Sequence, residues 1–227
     1  MSVATVPPPT DAPPLDPHPL SAYVSWAGHR NRDPILKVLQ SKMEEIPSNP
    51  NGQTTVLEMA SGSGMHLTYF APKFPELSFI PTEKTDETFA NIRELRDKTG
   101  ATNVQDPLVL DLTKPQDLPV TQKVSAIFCI NIFQVAPISI ADGMMQCAAK
   151  LLEKGGLLMI YGPFKRDGSF TTQSNQDFDT KLQGAQVDEW GLKDMADLHQ
   201  AAAKHGLVNE QVIDMPTNNF MLVYKLP

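Results

Sequence analysis

Cysteine is nearly absent from this sequence of 227 residues, which holds only Cys129 and Cys147. Two thiols cannot form a disulfide framework, and this pair lacks the close spacing of zinc ligands. No metal site is expected, and a reducing, cytoplasmic compartment is the natural setting. A positive excess is lacking too: 19 Lys and Arg stand against 26 Asp and Glu, for a formal net charge of -7. With no basic field to gather phosphates, extended nucleic-acid binding is excluded. No apolar run approaches the roughly 18 to 20 residues of a membrane span. The opening MSVATVPPPTDAPPLDPHPL has neither the basic nor the apolar region of a secretory leader. The expectation is a soluble protein with no membrane partner, long enough to bury one core without disulfides or metal.

What is present divides the chain in two. Residues 1–20 are proline-rich and show no apolar periodicity, so they read as an extended arm. Such an arm is either a flexible tail or a segment lying across a partner, for instance the second subunit of a homodimer. Residues 21–227 read as one domain. In DPILKVLQSKMEEI, Ile35, Leu36, Leu39, Met43 and Ile46 fall near helical spacing, with Asp33 as N-cap and Pro34 at the first helical position. TTVLEMA is then a strand, SGSG a turn and HLTYFAPKF a helix. The alternation repeats with LSFIPTE, DETFANIRELRDKTG and PLVLDLT, then with VSAIFCINIF, ISIADGMMQCAAKLLEKGG and LLMIYGPF. Beyond Phe164 a polar excursion, KRDGSFTTQSNQDFD, leads to a helix over about 191–205. Two last strands, NEQVIDM and NFMLVYK, are joined through PTNN as an antiparallel hairpin. This pattern predicts an α/β domain with a mostly parallel seven-stranded sheet, covered on both faces and closed by that hairpin.

In such a sheet, ligands bind beyond the carboxyl ends of the strands where strand order reverses. Each of the first four strand ends carries a suitable group. Glu58 precedes a turn of small residues, Ala60, Ser61, Gly62 and Gly64, that opens a helix and can offer backbone amides to a polar group. A carboxylate there attracts the cationic amine of S-adenosylmethionine and repels a dinucleotide pyrophosphate, which favours the former cofactor over NAD. Glu83 ends the second strand about twenty residues after the turn, in place to accept both ribose hydroxyls. Asp111 ends the third, where it can accept from the adenine amine while Leu112 lends its backbone. Asn131 ends the fourth, near the methionine half, and His66, opening the helix after the glycine turn, reads as a wall of the cofactor pocket or a solvated helix-start residue rather than a base. Singly, each has an ordinary explanation: Glu58 a solvated strand end, Glu83 part of a charged loop, Asp111 a turn cap. Together they point to a Rossmann-like S-adenosylmethionine site.

The segments RNRDPIL (30–36), VLEMASGSGMH (56–66), YGPFKRDG (161–168), QSNQDFD (173–179), WGLKD (190–194) and DMPTNN (214–219) resemble the methyltransferase-like 26 family. Its members are expected to be class I S-adenosylmethionine-dependent methyltransferases, and the likeness covers about residues 22–225. The resemblance implies the class I fold, the cofactor turn at Glu58 through Gly64, the ribose carboxylate at Glu83 and the adenine carboxylate at Asp111. It also implies that Arg30, Asn31 and Arg32 fold back over the methionine end of the pocket. There are departures from the family pattern. A glutamate–arginine pair before NRDP is here His29-Arg30, a histidine after the fourth strand is here Gln134, and arginines usual before WG are missing from LQGAQVDEW. These changes fall around the expected substrate pocket rather than the cofactor turn.

Methyl transfer is an in-line displacement that a protein can promote by positioning, with a base needed only for a protonated acceptor. Gln134 can only hydrogen-bond, which leaves His29 as the candidate to restore a titrating group. Tyr23, Trp26, Phe133, Phe164 and Asn219 suggest an apolar chamber for a small organic molecule, with residues 165–190 as a covering lid that carries Phe170, Phe178 and Trp190. The predicted function is a transferase: an S-adenosylmethionine-dependent methyltransferase with a small-molecule substrate. Two alternatives stand beside it. One is an enzyme of this fold that has lost methyl transfer and catalyses an isomerisation or cyclisation. The other is a non-catalytic cofactor-binding or scaffold protein.

Overall fold

A computed structural model of the chain describes residues 12–48 and 53–227. Residues 1–11 of the proline-rich arm lie outside the described residues. Residues 12–18 belong to no helix or strand, a turn follows at 19–20, and Ser21 caps helix α1 (Ala22–Met43) by accepting from Val24 N at 3.1 Å. The expected start at Asp33 is therefore too late, and Pro34 lies inside the helix. A proline there removes one donor, the partner of the Arg30 carbonyl. The extra turns before it bring Tyr23, Val24 and Ala27 to the cavity described below. Ile35, Leu36 and Leu39 bury the rest of the helix against the sheet.

The alternation continues as β1 (Thr54–Met59), α2 (Met65–Phe70), β2 (Leu77–Glu83), α3 (Phe89–Thr99), β3 (Leu108–Val109), β4 (Val124–Ile130), α4 (Ile140–Leu151) and β5 (Leu152–Gly162). The C-terminal part adds β6 (Lys165–Arg166), β7 (Ser169–Phe170), α5 (Gln173–Gly184), α6 (Met195–Lys204), β8 (Val208–Met215) and β9 (Asn219–Lys225). The expected seven-stranded sheet forms with the order β3-β2-β1-β4-β5-β9-β8. It is parallel from β3 to β5, and β9 runs antiparallel to both its neighbours. Every residue of β4 is buried, as a strand covered on both faces requires. Helices α1 and α2 cover one face through Ile35, Leu39, Leu67 and Phe70, and α4 and α6 cover the other through Met144, Met145, Ala148 and Leu198.

Other boundaries also differ from the sequence reading. PLVLDLT contributes only Leu108 and Val109 to the sheet. Helix α4 stops at Leu151, and Leu152–Gly156 belong to β5. Pairing with β4 slips there between Val124 and Ala126, and a Cβ on Gly156 would stand 2.9 Å from Ser125 O. The excursion after Phe164 is ordered as the β6–β7 hairpin and helix α5, which Thr172 caps by accepting from Asn175 N at 3.2 Å. Asn175 Nδ2 in turn donates to Asn218 O at 3.0 Å, joining α5 to the β8–β9 turn. Buried Asp179 accepts from Leu192 N at 2.6 Å. Among the described residues no helix is long and apolar enough to cross a membrane. Nor are three His, Cys, Asp or Glu side chains among them grouped to hold a metal ion.

Candidate cofactor and substrate site

Strand order reverses between β1 and β4, and a crevice opens at their carboxyl ends. The turn after β1 is tied to the end of β2. Ser61 N donates to Thr82 O at 2.8 Å, Thr82 N to Ser61 Oγ at 3.1 Å, and Thr82 Oγ1 to Glu58 O at 2.7 Å. Gly62 N donates to Glu83 Oε2 at 2.7 Å, so the second-strand carboxylate is held against the turn. Gly64 enters α2 at φ +80°, where a Cβ would lie 3.0 Å from Ile92 Cγ1 and 3.1 Å from its Cα. Both the backbone angle and the close helix therefore demand glycine. Ala60 and Asn131, at the ends of β1 and β4, hold φ of 56° and 57° without being glycine. Strain of that kind tends to collect where a fold presents a binding surface.

The crevice has two lobes. The first encloses ≈ 250 Å³, and its lining includes Tyr23, Glu58, Ser61, His66, Asn131 and Gln134, with Phe178 and Leu182 from α5. The second, ≈ 240 Å³, is bounded by Asp111, Leu112, Thr113 and Ile140. Ala60, Glu83, Ile132 and Val135 line both, so the lobes adjoin.

Glu58 is 1% exposed, and its Oε2 has no hydrogen-bond partner. Burial pushes its pKa up to about 8 against a lowering hydrogen bond with Ser61, and the neighbouring charge of Glu83 adds to the rise. A sealed carboxyl with an orphan oxygen needs either a proton or a cation. Asp111 has the opposite character. Its Oδ1 accepts from Thr113 Oγ1 at 2.7 Å and from Thr113 N at 2.9 Å, which holds its carboxyl below the usual range. His66 Nε2 lies 2.7 Å from Asn31 Oδ1. Burial, then the charges of Arg32 and His29, push the imidazole down to about 4, so it is neutral at pH 7.

The remaining candidates are dispersed. His29 and Arg30 are exposed on α1, where Arg30 stacks over Trp26 at 4.5 Å, and none of the three lines either lobe. Asn31 is buried behind His66 rather than in the wall. Phe133 and Phe164 pack against each other at 6.2 Å within the core, 2% and 1% exposed. Asn219 uses its amide to hold the β8–β9 turn, donating to Pro216 O at 3.2 Å and Thr217 O at 3.1 Å. Of the expected lid residues Phe178 lines the first lobe, whereas Phe170 and Trp190 do not. The apolar wall comes instead from Val24, Ala27 and Leu182, and from Leu15, Pro17 and Pro19 of the arm. In that part of the arm His18 Nε2 lies 3.1 Å from Glu87 Oε1, and Leu15, Pro17 and Pro19 lie against the crevice. Phe178 and Leu182 share one face of α5, but with polar Asn175 and Asp179 buried in the same helix they form no apolar stripe, and the arm had no periodic signal.

Solved structures of methyltransferases share this fold. The S-adenosylmethionine-dependent methyltransferase SibL superposes with a TM-score of 0.71 at 13% identity, over 90% of this chain and 57% of that one. An O-methyltransferase family 2 protein from Planctomyces limnophilus, in complex with apigenin, gives 0.70 at 16%, over 96% and 63%. CalO1, a calicheamicin-biosynthesis methyltransferase in its SAH-bound form, gives 0.63 at 15%, over 77% and 49%. At such identities the likeness carries the fold, and this chain spans less than two-thirds of each of those proteins. Its own sequence matches, over residues 22–226, the model of a family described as a protein of unknown function (DUF938), and to that family the chain belongs.

Proposed function

We propose that this chain binds S-adenosylmethionine in the two-lobed crevice and methylates a small organic molecule, and that it belongs with the methyltransferase-like 26 proteins its motifs resemble. The observation that carries the reading is Glu58: a buried carboxyl with an orphan oxygen, at the strand end facing the crevice, fits a ligand that brings an ammonium group. Glu58 would hold the amino group of the methionine end, Glu83 the ribose hydroxyls, and Asp111 with the Leu112 backbone the adenine. Glu83 accepts one bond at each oxygen, from Gly62 N and Lys84 N, and a carboxylate retains lone pairs for more. When bound, the cofactor supplies a methyl group activated by a sulfonium centre. The chain's part is to orient the acceptor, exclude water and take up a proton where one must leave.

Calorimetric titration with S-adenosylmethionine and S-adenosylhomocysteine tests this. Micromolar binding is expected, weakened about tenfold or more by Glu83→Ala and by Asp111→Ala, since each removes a hydrogen bond to a charged group. No binding by folded, ligand-free protein would overturn the reading and leave a repurposed scaffold. A chain beginning at residue 21 loses the wall formed by Leu15, Pro17 and Pro19. Its affinity for S-adenosylhomocysteine is expected to fall about tenfold, the worth of a modest apolar contact; unchanged affinity would mean the arm does not cover the bound cofactor.

A further inference from the structure

Four side chains lining the first lobe can titrate: Tyr23, Glu58, His66 and Glu83. The two glutamates belong to the cofactor end under the proposed function. Burial moves Tyr23 further above its ordinary value, so it does not take up a proton. His66 is the group left to do so, and it is held in a particular way. Its Nε2 meets Oδ1 of Asn31, which is 5% exposed. The carbonyl oxygen of Asn31 can only accept, so Nε2 carries the proton and Nδ1 the lone pair. Nδ1 has no hydrogen-bond partner among the described residues and is not among the sealed, unpartnered atoms, so it reaches open space. Gln134 lines the same lobe with its Oε1 buried and unpartnered.

We infer that His66, held by Asn31, is the base of this site, and that the acceptor is an uncharged, largely apolar molecule whose hydroxyl is held by His66 and Gln134. The inference rests on the proposed function. In the step the acceptor's O–H bond breaks, its proton forms an N–H bond at Nδ1, the oxygen keeps the electron pair, and the imidazolium later returns the proton to water. An anionic acceptor would need no base and would face Glu58 and Glu83 in the same lobe. Burial keeps His66 unprotonated throughout the neutral range, so Nδ1 can accept a hydrogen bond there. Asn31 is a positioning residue. The lobe thus holds a proton acceptor on α2, His66, together with the hydrogen-bonding amide of Gln134.

The probes are para-nitrophenol and its methyl ether para-nitroanisole, titrated in mildly acidic buffer into protein loaded with S-adenosylhomocysteine. The phenol is expected to bind about tenfold or more tightly than the ether, because an unmet buried acceptor discriminates against a ligand without a donor. His66→Phe and, separately, Gln134→Ala each shrink that ratio. Nitrogen-edited NMR of the imidazole should show the proton on Nε2, and Asn31→Asp should raise its titration midpoint by about a unit or more by placing a carboxylate beside it. Equal binding of the two probes, a preference untouched by His66→Phe, or a proton on Nδ1 would overturn the inference. Failure of S-adenosylhomocysteine itself to bind is read before the probes are added, and it would overturn the proposed function instead.

Discussion

Glu58→Gln is expected to make the protein more stable at pH 8 while weakening S-adenosylmethionine binding about a hundredfold or more, the usual consequence of deleting one partner of a buried charge pair. Two opposite effects follow from one burial. In the ligand-free protein the carboxyl sits sealed beside the Ser61 turn, and its pKa stands at about 8 against an ordinary 4.5. The folded state therefore prefers the protonated acid. The stability this gives is fully present below about pH 4.5 and is lost as pH rises through about 8, where folding must hold an unpaired charge out of water. A shift of this size corresponds to a few kcal/mol at most. Glutamine keeps the shape and never ionises, so urea denaturation should find parent and variant close at about pH 5 and the variant ahead at about pH 8. A variant that loses stability with rising pH as the parent does would refute the assignment.

His66 acts from the other side. Its pKa is lowered to about 4, so its contribution is present above the ordinary 6.5 and lost as pH falls toward 4. Acid loss through His66 and alkaline loss through Glu58 leave the parent's stability maximum between the two. Binding follows the same logic. An ammonium ligand replaces the Glu58 proton, so affinity should climb by up to about tenfold per pH unit until about pH 8 and level off above it, with protons released on binding.

Much of this site could be read from strand ends. Glu58, Glu83 and Asn131 meet in one lobe and Asp111 bounds the other, because a parallel alternating sheet puts its strand termini on one edge whatever the loops do. Elements that break the periodic rule were harder to see. Pro34 is a strong helix-start signal, yet it costs a single hydrogen bond and α1 passes through it. Helix α5 buries only Asn175, Asp179 and Leu182, two of them polar, and polar groups that make tertiary hydrogen bonds leave no hydrophobic stripe. Phe133 and Phe164 flank the ends of β4 and β5, where an aromatic ring can turn either to the crevice or to the core; spacing does not distinguish these, and packing sent both to the core. The arm's prolines contribute wall area without any period.

Gly143→Ala is the second large effect expected. Alanine in a helix interior ordinarily stabilises by roughly 0.5–1 kcal/mol relative to glycine. In α4 the sign should reverse, because a Cβ on Gly143 would lie 1.8 Å from Leu112 O and 3.0 Å from its carbonyl carbon. Neither atom is the yielding end of a side chain, so the helix or the 110–113 segment must move, at about 1–3 kcal/mol or more. That segment carries Asp111 and Leu112 and walls the second lobe, so the same substitution should weaken S-adenosylhomocysteine binding although residue 143 touches neither lobe. Gly184, at the end of α5, is the control: nothing lies within 4 Å of its added Cβ, and alanine there should be neutral or mildly stabilising with binding unchanged. Urea denaturation and calorimetry on both variants decide the matter. Two glycines that behaved alike would mean α4 does not press on the Asp111 loop; loss of stability and affinity together at Gly143 alone would show that a glycine in a covering helix holds the ligand-facing edge of the sheet in place.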